Sequence, residues 1–195
     1  ENWLRVKPAG LSQEDRKKLV QYRSVLQMVS DVGPGERLGA DLSRKYRSLH
    51  TDIASLLPCW AVTSLSARGK VPLKPGYFDL VVFDEASQCD IASALPLLYR
   101  ANHAVIIGDP KQLTHISSMQ KGQDHTYLQR FGLIDDYVHW AYSYNSLFNL
   151  AAGISDAADI VDLRDHHRSH EDIIGFSNRY FYEGRLRVAT RYDQL

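Results

Sequence analysis

Three side chains have the types and spacing to do chemistry on a phosphoanhydride, and each stands just past the end of an apolar run. Leu80-Val81-Val82-Phe83 stops at Asp84-Glu85-Ala86-Ser87-Gln88, and Ala104-Val105-Ile106-Ile107 stops at Gly108-Asp109-Pro110-Lys111-Gln112-Leu113. Ionised carboxylates beside a buried strand are costly unless a cation or a hydrogen-bond network compensates them, so Asp84 and Glu85 point to a metal site. In nucleotide hydrolysis the first such carboxylate holds Mg2+, usually through water, and the second polarises the attacking water. Gln112 lies where a neutral amide can sense a terminal phosphate or orient that water. Taken singly, each stretch has a plainer reading, Asp84 as a helix cap and Gly-Asp-Pro as turn chemistry. In order, and each closing a buried strand, they favour the chemical reading.

The elements that must position these groups follow from the flanking pattern. Both apolar runs are short, β-branched-rich and without alternation, which predicts strands covered on both faces in a parallel sheet. Residues 91–100 between them form the natural crossover helix, so the polar residues fall at two adjacent carboxyl ends, the edge where open α/β sheets bind ligands. Cys59-Trp60-Ala61-Val62-Thr63 predicts a third buried strand, ending in the polar turn 64–70. Further upstream, Ser12 and Asp15 form a capping-box variant, and Leu19, Tyr22, Leu26 and Val29 recur at helical spacing, predicting a helix over 12–30. A second periodic run, Leu38, Leu42, Tyr46, Leu49, Ile53 and Leu56, extends to Pro58, and Gly33-Pro34-Gly35 joins the two as an antiparallel helical hairpin.

DEASQ followed by GDPKQL at this spacing resembles motifs II and III of superfamily 1 helicases, in the branch that includes the nonsense-mediated-decay helicase. Farther on, Ser146-Leu147-Phe148 resembles the helix opening that precedes the second motor domain in that family. Leu163, Arg168, His170, Ile173, Phe176, Asn178, Phe181, Tyr182 and Gly184 then fit its motif IV, with His167 in place of an aromatic and Glu171 in place of a proline. After Leu113 the family continues with prolines, whereas this chain has Thr114-His115-Ile116-Ser117. The resemblance implies a partial RecA-like P-loop NTPase sheet carrying the helical hairpin as an N-terminal insertion. It implies Glu85, Gln112 and Arg168 as catalytic residues, with Arg168 reaching the γ-phosphate. Asp84, Gly108 and Asp109 would contact the nucleotide, Asp84 holding Mg2+ through water. Thr63 and Ser64 would touch the backbone of single-stranded DNA or RNA, contacts that carry no sequence information. ATP and Mg2+ are the implied cofactors, and residues 1–57, 58–157 and 158–195 the implied hairpin, first motor domain and truncated second one.

What is missing matters equally. No Gly-x-x-x-x-Gly-Lys-Ser/Thr loop occurs anywhere in the 195 residues, so the chain reads as the middle of a motor, inactive alone. A non-catalytic binding module that retains a motor fold is the alternative, with a start codon near Glu1 as its signature. Asp165-His166-His167 also spells a Mn2+ phosphoesterase motif, but the upstream aspartates that chemistry needs are absent. Lys+Arg and Asp+Glu balance at 23 each, so nucleic-acid binding must come from a local surface rather than a global basic field. Two cysteines are too few for a disulfide framework and no apolar run is long enough to span a membrane, which predicts a cytoplasmic protein. The truncated second lobe, with apolar faces seeking a neighbour, predicts looser packing over 159–195 and self-association.

Overall fold

The computed structural model describes residues 10–33, 36–54, 56–57, 59–117, 119–120 and 122–191. The chain falls into two compact units, Glu1–Tyr77 and Phe78–Leu195.

In the first unit, helix α1 (Gln13–Ser30) starts at the expected cap: the Ser12 side chain accepts from Asp15 N–H while the Asp15 carboxylate accepts from Ser12 N–H, both at 3.1 Å. Helix α2 (Ala40–Ala54) packs on it through Tyr22, Leu49 and Ile53 of the predicted stripes and through Val25, which takes the buried place expected of its neighbour Leu26, itself 39% exposed. Pro34 and Gly35 of the expected turn, and Pro58, lie outside the described residues. Trp60 completes an aromatic cluster with Tyr22, Tyr46 and His50, edge-on to the His50 ring at 4.7 Å. The expected strand over 59–63 does not form: these residues have no regular secondary structure and no strand partner among the described residues, and Cys59, Ala61 and Thr63 are exposed. The apolar run is consumed instead by packing Trp60 on the helix pair. The expected turn 64–70 is in fact a helix, α3 (Ser64–Lys70), which Thr63 caps by accepting from Ser66 N–H at 3.3 Å.

The second unit is built on strands β1 (Phe78–Phe83) and β2 (Ala101–Ile106), parallel and in register from Phe78 opposite Ala101 to Phe83 opposite Ile106. The crossover is helix α4 (Ile91–Leu98), capped by Asp90, whose Oδ1 accepts from Ser93 N–H at 2.8 Å. Helices α5 (Gln123–Arg130) and α6 (Ile134–Tyr137) follow, then α7 (Leu147–Ile154), capped by buried Ser146 as the sequence predicts. One sheet face is covered: Val81, Phe83 and Ile106 pack with Ala86, Ala94, Leu97, Leu147 and Phe148. The expectation of cover on both faces fails, because Leu80, Val82 and Val105 on the other face are 50, 53 and 45% exposed. Among the described residues no layer lies over that face, so its unalternating apolar pattern is left unmatched.

The segment expected to open a second lobe is more complete than a lone strand and helix. Strand β3 (Asp165–His166), helix α8 (Glu171–Phe181) and strand β4 (Arg187–Val188) form a small parallel β–α–β piece, closed by an Arg187–Asp165 ion pair at 2.8 Å. The apolar run before it carries no strand, and Val161 and Leu163 are 77 and 83% exposed.

Candidate functional site

The two motif ends meet at one edge of the sheet. Parallel pairing puts the carboxyl ends of β1 and β2 side by side, and the ladder continues past both strands: Ile107 N–H donates to Phe83 O and Ala86 N–H donates to Ile107 O, each at 2.8 Å. Asp84 and Glu85 therefore leave the sheet next to Gly108 and Asp109. Ser87, buried beneath them, ties the two loops together, its Oγ donating to Asp109 O and accepting from Asp109 N–H, both at 2.8 Å. Gly108 is obligatory here for a steric reason, since a Cβ would lie 2.6 Å from Phe148 and 2.8 Å from Ser87 Oγ.

Asp84 and Glu85 both face solvent. Asp84 Oδ1 accepts from Glu85 N–H at 3.0 Å. Glu85 adopts φ 53° and ψ 39°, a left-handed conformation uncommon outside glycine, asparagine and aspartate, which turns the chain into the short 3-10 turn Ala86–Gln88.

Asp109 organises the second loop. Its Oδ1 accepts from Lys111 N–H at 2.9 Å, and its Oδ2 accepts from both Gln112 Nε2 at 3.1 Å and the Tyr182 hydroxyl at 2.5 Å. Burial, and then the bond to Asp109, push the Tyr182 phenol up to about 12. Gln112 is exposed and held at the same sheet edge as Asp84. Arg168 stands exposed in the turn between β3 and α8, and no hydrogen bond or ion pair among the described residues joins it to Asp84, Glu85 or Gln112.

The histidines near Arg168 do structural work. His166 Nε2 pairs with Ser169 Oγ at 2.7 Å, His167 Nδ1 lies 3.1 Å from Ala189 O, and His170 caps α8 by accepting from Asp172 N–H at 3.3 Å. No group of three His, Cys, Asp or Glu side chains converges on a metal position among the described residues. The donor set at Asp84 and Glu85, two adjacent carboxylates facing water, suits a hard and largely hydrated cation such as Mg2+ that shares its coordination with phosphate oxygens. Thr63 and Ser64 lie in the other compact unit, where the Thr63 hydroxyl is engaged as the cap of α3.

Two residues that the motif reading passed over are central to this geometry. Ser87 sits inside the quoted DEASQ stretch, and Tyr182 inside the Phe-Tyr-x-Gly tail, but neither carries a pattern by which spacing alone identifies its partner.

A family model described as an AAA domain matches residues 36–117, which contain both motif ends. The uncharacterized ATP-dependent helicase MG140 of Mycoplasma genitalium is 32% identical over 135 residues, covering 69% of this chain and 12% of that protein. The probable helicase senataxin of Homo sapiens is 32% identical over 139 residues, 68% of this chain and 5% of its own length. Helicase SEN1 of Saccharomyces cerevisiae is 25% identical over 199 residues, 95% of this chain and 8% of its own. The chain thus spans only a small part of the relatives it matches.

Proposed function

We propose that this part of a superfamily 1 helicase supplies the carboxylates, amide and guanidinium that act on the γ-phosphate of ATP in a motor that moves on or unwinds nucleic acid. The observation that supports the reading best is the single sheet edge on which Asp84, Glu85, Asp109 and Gln112 stand, tied together by Ser87. Bound Mg2+ would supply charge compensation to the phosphates, and Asp84 is the residue of this chain that would hold it through water. Glu85 orients the attacking water and accepts its proton. Gln112, released from or still resting on Asp109, contacts the γ-phosphate or that same water. Arg168 offers a planar, permanently charged fork to the oxygens on which charge develops, and must be brought to them by closure of its β–α–β piece. Gly108 and Asp109 shape the loop that faces the nucleotide.

In this reading residues 58–157 contribute to a RecA-like first motor domain, residues 158–195 begin the second, and the α1–α2 pair is an inserted subdomain. Thr63 and Ser64 contact backbone phosphates of a single strand. The open sheet face and the exposed Ile173, Phe176 and Tyr180 of α8, 69, 63 and 65% accessible, are surfaces that the rest of the motor covers, and that drive the chain to self-associate on its own. Two free cysteines, and no helix long and apolar enough to cross a membrane among the described residues, accord with a cytoplasmic setting.

The test compares this chain with the full-length protein that contains it, each with and without single-stranded DNA or RNA, and Glu85→Gln in both. We expect nucleic-acid-stimulated hydrolysis in the full-length protein only, abolished by Glu85→Gln, because without a phosphate-binding loop the groups of this chain have no fixed triphosphate to act on. Robust turnover by the chain alone, or full activity of the Glu85→Gln protein, overturns the reading.

A further inference from the structure

We propose that Tyr182 is a positioning residue: its hydroxyl latches the β–α–β piece that carries Arg168 onto the Asp109 carboxylate that holds Gln112. This rests on the reading above and adds to it a physical link between the γ-phosphate amide and the arginine.

Three observations carry the link. First, one oxygen serves both partners, since Asp109 Oδ2 accepts from Gln112 Nε2 and from the Tyr182 hydroxyl, so whatever moves the phenol is felt at the amide. Second, Tyr182 is held firmly at the end of α8. Its N–H donates to Asn178 O at 3.2 Å, and Glu183 and Gly184 turn the chain with φ 56° and 73°. The Asn178 side chain then clamps the returning strand, donating to Leu186 O and accepting from Leu186 N–H, both at 3.0 Å. Third, the piece that ends in Tyr182 is the one that holds Arg168. Arg168 follows β3, β3 pairs with β4, and Thr190 closes the loop by donating to His166 O at 3.3 Å and Ser169 O at 2.8 Å. A displacement of this piece must therefore either stretch the Tyr182–Asp109 bond or drag the Gln112 loop with it. The phenol stays protonated, and so remains a donor, across the whole working pH range.

The experiment uses this chain as it stands and requires no nucleotide, so a failure of the helicase reading leaves its outcome intact. Tyr182→Phe removes only the hydroxyl. Hydrogen bonds to charged groups contribute about 1.5–3 kcal/mol, so amide exchange in both 108–113 and 182–188 should quicken roughly 10-fold or more, while α1 and α2 are unaffected. The Gln112 side-chain amide resonances should also shift in Tyr182→Phe, although Tyr182 meets Gln112 only through Asp109. Asp109→Asn should produce the same paired effect, and Tyr180→Phe, on the exposed face of the same helix, should produce none. Faster exchange confined to 182–188, or an unmoved Gln112 amide in Tyr182→Phe, would reduce Tyr182 to a local packing residue and overturn the proposal. If the full-length protein with Tyr182→Phe is assayed as well, the loss should fall on kcat, with the KM for ATP within about twofold, because the latch positions groups and binds no substrate.

Discussion

Adding one methyl group at Gly108 is the sharpest perturbation the site offers. The backbone there is not left-handed, so alanine brings no conformational penalty and the whole effect is steric. The new Cβ would sit 2.6 Å from Phe148 Cδ2, 2.9 Å from its Cγ and 2.8 Å from Ser87 Oγ, all well inside van der Waals contact. Neither neighbour can retreat cheaply. Phe148 follows Leu147, whose N–H donates to Cys89 O at 2.9 Å, and α7 is pinned at its buried Ser146 cap. Ser87 is committed to both polar groups of the Asp109 backbone. Overpacking of this kind costs about 1–3 kcal/mol, and breaking the Ser87 pair would add about 1 kcal/mol per bond. For a chain of this length 1 kcal/mol moves the melting temperature by roughly 2–4 °C, so Gly108→Ala should lower it by roughly 2–12 °C. The decisive measurement is a double-mutant cycle by urea denaturation. Phe148→Ala destabilises by removing a core side chain, but in its presence the added methyl has room, so the double variant should be more stable than the sum of the singles by about 1–2 kcal/mol. An additive cycle, or a Gly108→Ala chain that melts like the parent, would show that motif III does not lie against α7 as described.

Three further outcomes follow from other parts of the structure. Burial lowers the pKa of His50, the backbone bond to Lys70 raises it and the Lys70 charge lowers it, with a net depression, so the imidazole folds neutral against the Tyr22 hydroxyl at 2.8 Å. The stability this confers is fully present above the ordinary histidine pKa of about 6.5 and is lost as pH falls through the lower folded value, and thermal midpoints over this range should show a slope that His50→Gln flattens. Asp124 is buried, and although burial works upward, the bonds from Ser143 Oγ at 2.6 Å, Ser143 N–H at 2.9 Å and His125 N–H at 2.9 Å hold its pKa below the usual carboxylate value. Asp124→Ala should therefore cost about 2 kcal/mol at neutral pH, read by denaturant midpoint, with the deficit shrinking in acid as the native carboxylate itself protonates. Glu85→Gly should leave the chain as stable or up to about 1 kcal/mol more stable, because it relieves a left-handed non-glycine residue, while removing the carboxylate to which the proposed function assigns the attacking water.

Much of the site was legible because its signals are local. A capping box and a run of β-branched residues that stops at polar residues are each decided within a few positions, and Ser12 and the ends of β1 and β2 fall where those rules put them, while Ser146 opens α7 as the resemblance implies. The adjacency of Asp84 and Gln112 followed from one further rule, that a strand, helix and strand in sequence pair in parallel. What failed was wherever an apolar pattern had to be assigned a partner. The run from Cys59 to Thr63 has strand composition, but composition does not reveal whether its side chains meet a neighbouring strand or, as Trp60 does, a pair of helices. The unalternating pattern of β1 and β2 predicts two buried faces, yet only one is covered among the described residues, because a composition rule does not say which partner covers a face.

The links that join motifs are illegible for a different reason. Ser87 acts through two hydrogen bonds to the Asp109 backbone and Tyr182 through one to its carboxylate, across 22 and 73 positions of sequence, and no periodicity or spacing rule reaches so far. Yet these bonds distinguish a site from a set of motifs. Without Ser87 the two strand ends would be neighbours only through the sheet, and their loops could move independently. Tyr182 gives the piece that bears Arg168 a polar tie to the loop that bears Gln112. One oxygen of Asp109 accepts from both an amide and a phenol, so the loop that bears Gln112 and the piece that bears Arg168 share a single polar partner, and a change at either is felt at the other.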